Sequence, residues 1–573
     1  MVGQRARGRG ESAPGEMGAS LSVLSNFSGT EFDFSPGAQI PVTGGDGDTA
    51  ATQALASAAY RDGPVEALVE VNPEATVQPP RLSLFEPNLG EAFARAVQMR
   101  MLGAGRAETV QSFGMDPQAV VEHCLAANRI RQQRDARLTV VMLVFGLLFL
   151  PGVLIWLGAF QLRRTLAKRQ GRAGMLGGVV LAVVVGLGVL LLWRPPLTGI
   201  GALYLRLMLV VPVAGWYVAK RICERTAVDL RDRWSGLLSG GGVGAKIPEA
   251  VPQHPDDARA EQLRKSLVAL AAEQNSNVVF YAGPKGILGM GSRWGVWQLA
   301  EELVPREEGQ DIHPFRSWDV IRAIQDRLRE LERGPLHTGG FPKPSIRNWV
   351  VAPIGENAKG ITRPTGAEVE GFTVKDFEIQ RICNEQQFGA GNRHYLGVQF
   401  VLWDGQLVIT LLITVTVLHH TLRIEVSGHA LGPVDGIFLS KPSPKEKKVA
   451  KSVKFWETRT VRLPLVDSAE VVRLSARAPL TWFPPVLDYL GGKLTLPEPF
   501  GLRHTWAGKP WKHRFMADDA LRAVTPVLRV VHSAALSVLR ENGVDTERFA
   551  ARSLALGTGV QEAAPKKADA YDA

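Results

Sequence analysis

Three long apolar stretches follow one another in the first half of the chain, at 138–162, 175–193 and 197–219. The first reads LTVVMLVFGLLFLPGVLIWLGAFQL. As a helix it would reach about 37 Å, more than the ~30 Å hydrocarbon core of a bilayer. The second is uncharged and just long enough to span. The third is apolar except for Arg206, which is expected to snorkel or pack between helices, with a functional intramembrane charge as the sharper alternative. Pro151-Gly152 lies at the centre of the first stretch. It either kinks a spanning helix or folds the segment back to the side it came from.

The flanks discriminate between topologies, because lysine and arginine are retained on the cytoplasmic side. Arg129, Arg131, Arg134 and Arg137 precede the first stretch. Arg163, Arg164, Lys168, Arg169 and Arg172 follow it. Only Arg194 separates the second from the third, and Lys220, Arg221, Arg225, Arg231 and Arg233 come after. Three simple spans starting inside fit worst. Two arrangements survive: three spans starting outside, or a re-entrant first segment followed by two spans. Both put everything after Lys220 in the cytoplasm of a bacterial cell bounded by this inner membrane.

Helical spacing also marks a lead-in over 81–137. Leu89, Phe93, Val97 and Met101 share one face, and Asp116-Pro117 opens a second helix. Residues 1–80 are rich in small and polar types, lack the apolar core of a secretory signal, and are expected to be disordered, as is 557–573. A linker is expected over 220–253.

From 254 to 556 the pattern is that of a soluble α+β region. Helices are expected at 256–276, at 317–334 with Ser317 as cap, at 374–388 and at 518–542. NVVFYAG and IRNWVVAPIG read as strands. The clearest sheet signal lies at 393–428. Asp404-Gly405 is a two-residue hairpin signal. Beyond it Leu407, Ile409, Leu411, Ile413, Val415 and Val417 alternate with Thr410, Thr414 and Thr416. After a turn at His419-His420, LRIEV alternates again. The expected fold class is α+β: membrane helices, then an antiparallel β-meander covered by helices.

Composition adds little to this. The 573 residues carry a formal charge of +10, with a mean hydropathy of +0.01. A basic balance suits nucleic acid or an anionic lipid surface. The three cysteines, Cys124, Cys223 and Cys383, are far apart and form no CxxC. That argues against a disulfide framework or a zinc site and for reducing surroundings.

Candidate chemistry is sparse. AGPKGILGMGSRWG follows a strand, and glycines there let backbone N–H groups approach an anion. Gly283, Lys285, Gly286, Gly289 and Gly291 are therefore candidate ligand-binding residues. The spacing matches neither GxxxxGK[ST] nor GxGxxG, and no parallel βαβ unit is evident. The plainer reading is a tight loop that positions Trp294 and Trp297. No HExxH, GxSxG or carboxylate pair stands out, so no catalytic residue, metal or cofactor is assigned. His394 is expected at a rim, and His419, His420 and His429 at strand ends.

Two basic segments, KPSPKEKKVAKSVK and RHTWAGKPWKHRF, make Lys445, Lys447, Lys448, Lys451, Trp506 and Trp511 candidate membrane-surface residues, in contact with anionic headgroups. A solvated loop is the plainer alternative. No RNP or OB signature accompanies them, which argues against nucleic acid.

NVVFYAG with its Gly-rich loop and WGVW, then RHYLGVQFVLWDGQLVIT and TLRIEV, carry a resemblance over 277–437. The segment resembles the soluble part of a family of uncharacterised membrane proteins from high-GC actinobacteria. The resemblance implies no activity and no site residues. The expected function is a membrane-tethered cytoplasmic scaffold, partner-binding or sensory protein with an unidentified protein partner. The alternative is an enzyme binding a nucleotide or phosphate ligand on loop 283–291.

Overall fold

The computed structural model describes residues 49–550 apart from 104–105, 169–171, 195, 197, 242–244, 246, 252–253, 255, 308, 333–339, 355–363, 386–390, 451–457 and 548. The described part begins with α1 (Ala50–Ala58), α2 (Glu66–Val71) and a short strand β1 (Thr76–Val77). Thr49 caps α1 by accepting from the Thr52 amide. Residues 49–80 thus depart from the expected disorder. The small side chains that suggested it, Ala51, Ala54 and Ala58, let α1 pack closely, and all are buried.

Next come α3 (Leu89–Leu102), α4 (Pro117–Val141), α5 (Leu150–Lys168), α6 (Arg172–Trp193), α7 (Ile200–Leu238) and α8 (Ala258–Gln274). Asn88 and Asp116 cap α3 and α4 through their side chains, and Pro117 takes the first helical position. The stripe Leu89, Phe93, Val97 and Met101 is buried as its spacing predicts.

One core joins α1, α3 and α4 to Leu230, Trp234 and Leu237 of α7 and to Leu267 and Leu270 of α8. It also takes in Val434, Phe438, Leu502 and Trp506 from far downstream. The helical lead-in expected over 81–137 is α3 and α4, and both contribute to this core. One expectation is corrected here. The supposed linker 220–253 is helical to Leu238, because the end of α7 presents an apolar face to α1.

The sheet is built from β2 (Val278–Tyr281), β3 (Ser292–Glu302), β4 (Ser345–Pro353), β5 (Arg393–Leu402), β6 (Leu407–Leu418) and β7 (Thr421–Leu431). Its order is β2-β4-β5-β6-β7-β3. The antiparallel meander β5–β6–β7 stands at its centre as expected. The sheet as a whole is mixed, because β2 runs parallel to β4 with Val278 opposite Val350.

The helices that follow are α9 (Ser317–Leu328), α10 (Asp376–Glu385), α11 (Ser468–Arg477), α12 (Pro484–Gly491) and α13 (Arg514–Glu541). The odd positions of β6 pack with Ile321, Ile324 and Leu328 of α9 and Val524 and Val531 of α13. The even face is covered too. Thr410 is fully buried, and Leu412 packs with Trp349 and Phe113. Ser317 is not the cap of α9. Asp319 accepts from the Arg316 amide at 2.8 Å, and the Ser317 hydroxyl instead accepts from Val417 N at 3.1 Å.

The β5–β6 connection is four residues, since Leu402 pairs with Leu407. Trp403, Asp404 and Gly405 all have positive φ, of 54°, 54° and 77°. The expected two-residue turn is opened because the carbonyls of Gly405 and Gln406 are turned toward the buried guanidinium of Arg503.

Among the described residues two helices are long and apolar enough to cross a membrane, α7 and α13. The second is the helix that covers the sheet, with Val524, Val527, Leu528, Val531 and Leu539 buried. In addition, Pro117–Leu147 and Leu150–Gln161 form a broken apolar pair that meets at 102°. The break falls just before Pro151, whose missing N–H cannot extend the ladder. Gly152 then lies so close to α7 that a Cβ would sit 1.9 Å from the Met208 carbonyl oxygen.

Candidate functional site

The glycine-rich loop leaves β2 and turns back on itself. Gly283, Gly286, Gly289 and Gly291 all take positive φ, which favours glycine. Ala282 N donates to Gly286 O at 3.0 Å, and Leu288 N to Phe280 O at 2.8 Å. The far half is clamped: a Cβ at Gly289 would lie 2.8 Å from Gln111 O, and one at Gly291 2.1 Å from Ala430 O. Lys285 pairs with Glu74, Nζ to Oε1 at 2.7 Å. The loop runs into β3 and not into a helix, so it does not open the helix N-terminus that a phosphate loop uses. The parallel neighbour β4 is reached only after the chain has visited the opposite edge of the sheet as β3.

That loop does position tryptophans. Trp294 meets Trp297 edge-on with centroids 5.5 Å apart, and Trp511 at 5.8 Å. Trp511 is therefore half-buried in a three-ring cluster against the sheet core. Trp506 departs from the expected surface position. It is fully buried between Phe93 and Phe438, at 5.9 Å and 5.5 Å.

Lys445 is exposed and donates to the Leu465 carbonyl at 2.6 Å. Lys447 and Lys448 lie on β8 (Glu446–Ala450), which pairs with β9 (Thr458–Arg462) in a small hairpin. Lys451 lies outside the described residues.

His394 is buried and not at a rim. Its Nε2 lies 3.1 Å from Asn348 Oδ1, and burial pushes it down to about 3. His429 is also buried and pushed down to about 4, whereas His419 and His420 stand exposed in the turn between β6 and β7. Among the described residues no three His, Cys, Asp or Glu side chains gather where they could hold a metal ion.

Among the described residues, exposed large apolar side chains are concentrated on α4 to α7. Leu138, Ala219 and Cys223 are still covered, by Val466, Val471, Leu474 and Ala478 from α11 and its flanks. Beyond that plug the same helices are bare: Val140, Leu143, Val144 and Leu147 on one side, Val210, Val213 and Tyr217 on the other. At the changeover stand Trp216 with Lys220, and Tyr217 with Arg221, whose Nη2 donates to the phenol oxygen at 2.9 Å. Arg206 donates from Nε to Leu192 O at 3.1 Å, in the last turn of α6. That contact fits the packing role expected of it.

Sequence reading did not foresee that arginines are buried, Arg503 and Arg477 among them. Arg503 donates from Nη2 to Gly405 O, Gln406 O and Gly432 O, at 3.1, 3.3 and 2.6 Å. Burial pulls its guanidinium down to about 10. Arg477 pairs with Glu91. Neither residue has a local pattern that separates it from a solvated arginine.

Residues 296–563 match the family model of the AbeC-like domain, an uncharacterised family. The match runs from within β3 through α13. It leaves out the glycine-rich loop and the helical core of residues 49–274. No curated protein and no solved structure matches the chain.

Proposed function

We propose that the chain is a membrane-anchored scaffold or partner-binding protein of a bacterial inner membrane, with its α+β body on the cytoplasmic side. The observation that carries the reading is the shared core. Residues before the apolar block, Ala51 to Ala127, and residues after it, Leu230 to Trp506, bury one another. A folded core cannot be divided by a bilayer, so both flanks lie on one side and the block crosses an even number of times. Segment 138–162 then enters and returns at the bend before Pro151, and α7 crosses with α6 as its partner, whose stretch 175–193 carries no charge. Three basic clusters stay inside and only Arg194 is exported, in keeping with charge retention.

The bare apolar surface of α4 to α7 supports lipid as its solvent, because exposed apolar patches beyond a few hundred Å² are unusual on soluble monomers. Lys445, Lys447, Lys448 and Lys451 remain candidates for contact with anionic headgroups within the same reading. The glycine-rich loop supplies no observation that favours the enzyme alternative. Extraction tests the anchoring. The full chain should stay in the membrane pellet after an alkaline carbonate wash and dissolve in detergent. Release by carbonate would reduce the reading to a peripheral one.

A further inference from the structure

We infer that a second, aromatic surface rests on the bilayer: Trp482, Phe483, Val486 and Tyr489, with Leu82 beside them. The inference depends on the membrane-anchored reading and adds to it a lipid-facing element outside the anchoring helices. These five side chains are 66%, 63%, 45%, 58% and 50% exposed. They sit on or beside neighbouring elements, since α12 packs against both 83–85 and 478–482. Arg81 lies 3.8 Å over the Tyr489 ring.

Position argues for lipid as the occupant. Ala478 is buried in the plug with Leu138 and Ala219, where α4 and α7 lose their protein cover. Trp482 ends the 3₁₀ turn that begins at Ala478. At roughly 2 Å per residue it stands within about 8 Å of that level. Tryptophan and tyrosine concentrate at this depth because their rings are amphipathic. The same level already holds Trp216, Tyr217, Lys220 and Arg221. Arg81 beside Leu82 and Arg137 beside Leu138 are exposed, and both suit headgroup phosphates. The patch is therefore like the apolar surface of the anchor in kind and, through the short turn from Ala478, close to it in level.

Nitroxide depth measurements on the full-length protein in phosphatidylethanolamine–phosphatidylglycerol vesicles test this. The three natural cysteines are buried, so label goes to introduced ones: Phe483→Cys, Val486→Cys, Leu143→Cys as a site in the bare apolar segment, and Arg327→Cys on exposed α9. Oxygen should collide with labels at 483 and 486 more often than a water-soluble nickel chelate does, as at 143, with the order reversed at 327. If 483 and 486 behave like 327 while 143 stays in lipid, the docking surface is wrong and the anchored reading stands. If 143 also behaves like 327, the anchored reading itself fails.

Discussion

Arg477 on α11 closes a buried ion pair with Glu91 on α3, Nη1 to Oε2 at 2.6 Å, across 386 residues of sequence. Burial alone would push the Glu91 carboxyl up. Arg477 and Arg95 outweigh it and hold the group well below the usual carboxylate range. The pair fastens the C-terminal part of the chain to the N-terminal helices, next to the plug at Leu138. Arg477→Ala removes the closest partner of a buried carboxylate and leaves Arg95, at 3.2 Å, and the more distant charge of Arg131. The expected loss is about 3–5 kcal/mol, the cost of an uncompensated buried charge. A urea midpoint in detergent micelles measures it, and a loss under about 1 kcal/mol would assign the pair no structural role.

Arg503 plays a comparable part at the β5–β6 loop, whose two last carbonyls it holds together with that of Gly432. Arg503→Leu removes three charge-assisted contacts and leaves buried acceptors behind. The expected cost is at least about 2 kcal/mol. Hydrogen exchange should localise it, with protection lost first at Gln406 and Val434, whose side chain and amide are bonded at 3.0 Å. Uniform loss across the sheet would place the effect elsewhere.

Periodicity carried the central elements. Alternation at Leu407 to Val417 named the buried face of β6, and the spacing Ile321, Ile324, Leu328 named that of α9. It failed wherever a partner lies far off in sequence. Alanine-rich α1 looked like low complexity because its reason for folding is Trp234 and Phe438, far downstream in the chain. Trp506 and Arg503 sat in a basic, aromatic segment that resembles a surface. Nothing local says that Phe93 and the Gly405 carbonyl wait for them. The TWFPP stretch at 481–485 was overlooked for the opposite reason. Its rings look like core, yet Trp482 and Phe483 are bare.

Lys285 offers a test of the enzyme alternative. Its partner Glu74 is about as exposed as it is, each side chain at 53%. Such a pair contributes at most about 1 kcal/mol. Lys285→Ala should therefore leave the melting temperature nearly unchanged. Nucleotides and inorganic phosphate should shift neither protein. Stabilisation of the parent by a nucleotide, abolished in Lys285→Ala, would move the reading to a ligand-binding loop.

Acid should loosen the fold earlier than carboxylate titration alone would. His394 is held down to about 3, and His429 to about 4, both mainly by burial, from an ordinary 6.5. A group with a depressed folded value binds more protons when unfolded. Its contribution is intact above 6.5 and is lost as pH falls from there toward the folded value. Each histidine costs roughly 1.4 kcal/mol per pH unit in that window. Glu91 adds to the loss in the same direction below its ordinary 4.5. The melting temperature should fall between pH 7 and pH 5, and His394→Gln should flatten that slope. An unchanged slope in the variant would mean that His394 is protonated alike in both states.

Topology is the prediction that decides most. Cys124, Cys223 and Cys383 are all buried, and burial pushes the Cys383 thiol up to about 12, so none of them reports on sidedness while the protein is folded. Exposed positions serve instead: Glu70 before the apolar block, Thr198 between α6 and α7, and Arg327 after it. With each changed to cysteine in turn, a membrane-impermeant maleimide applied to intact cells or spheroplasts should label Thr198→Cys alone. Glu70→Cys and Arg327→Cys should label together, and only after the membrane is opened. The pairing of those two is the critical result. The core that contains Leu55 and Trp234 exists only if both flanks share a compartment. Labelling of Glu70→Cys without Arg327→Cys would mean that segment 138–162 crosses outright, and that the core joining its flanks does not form in the cell.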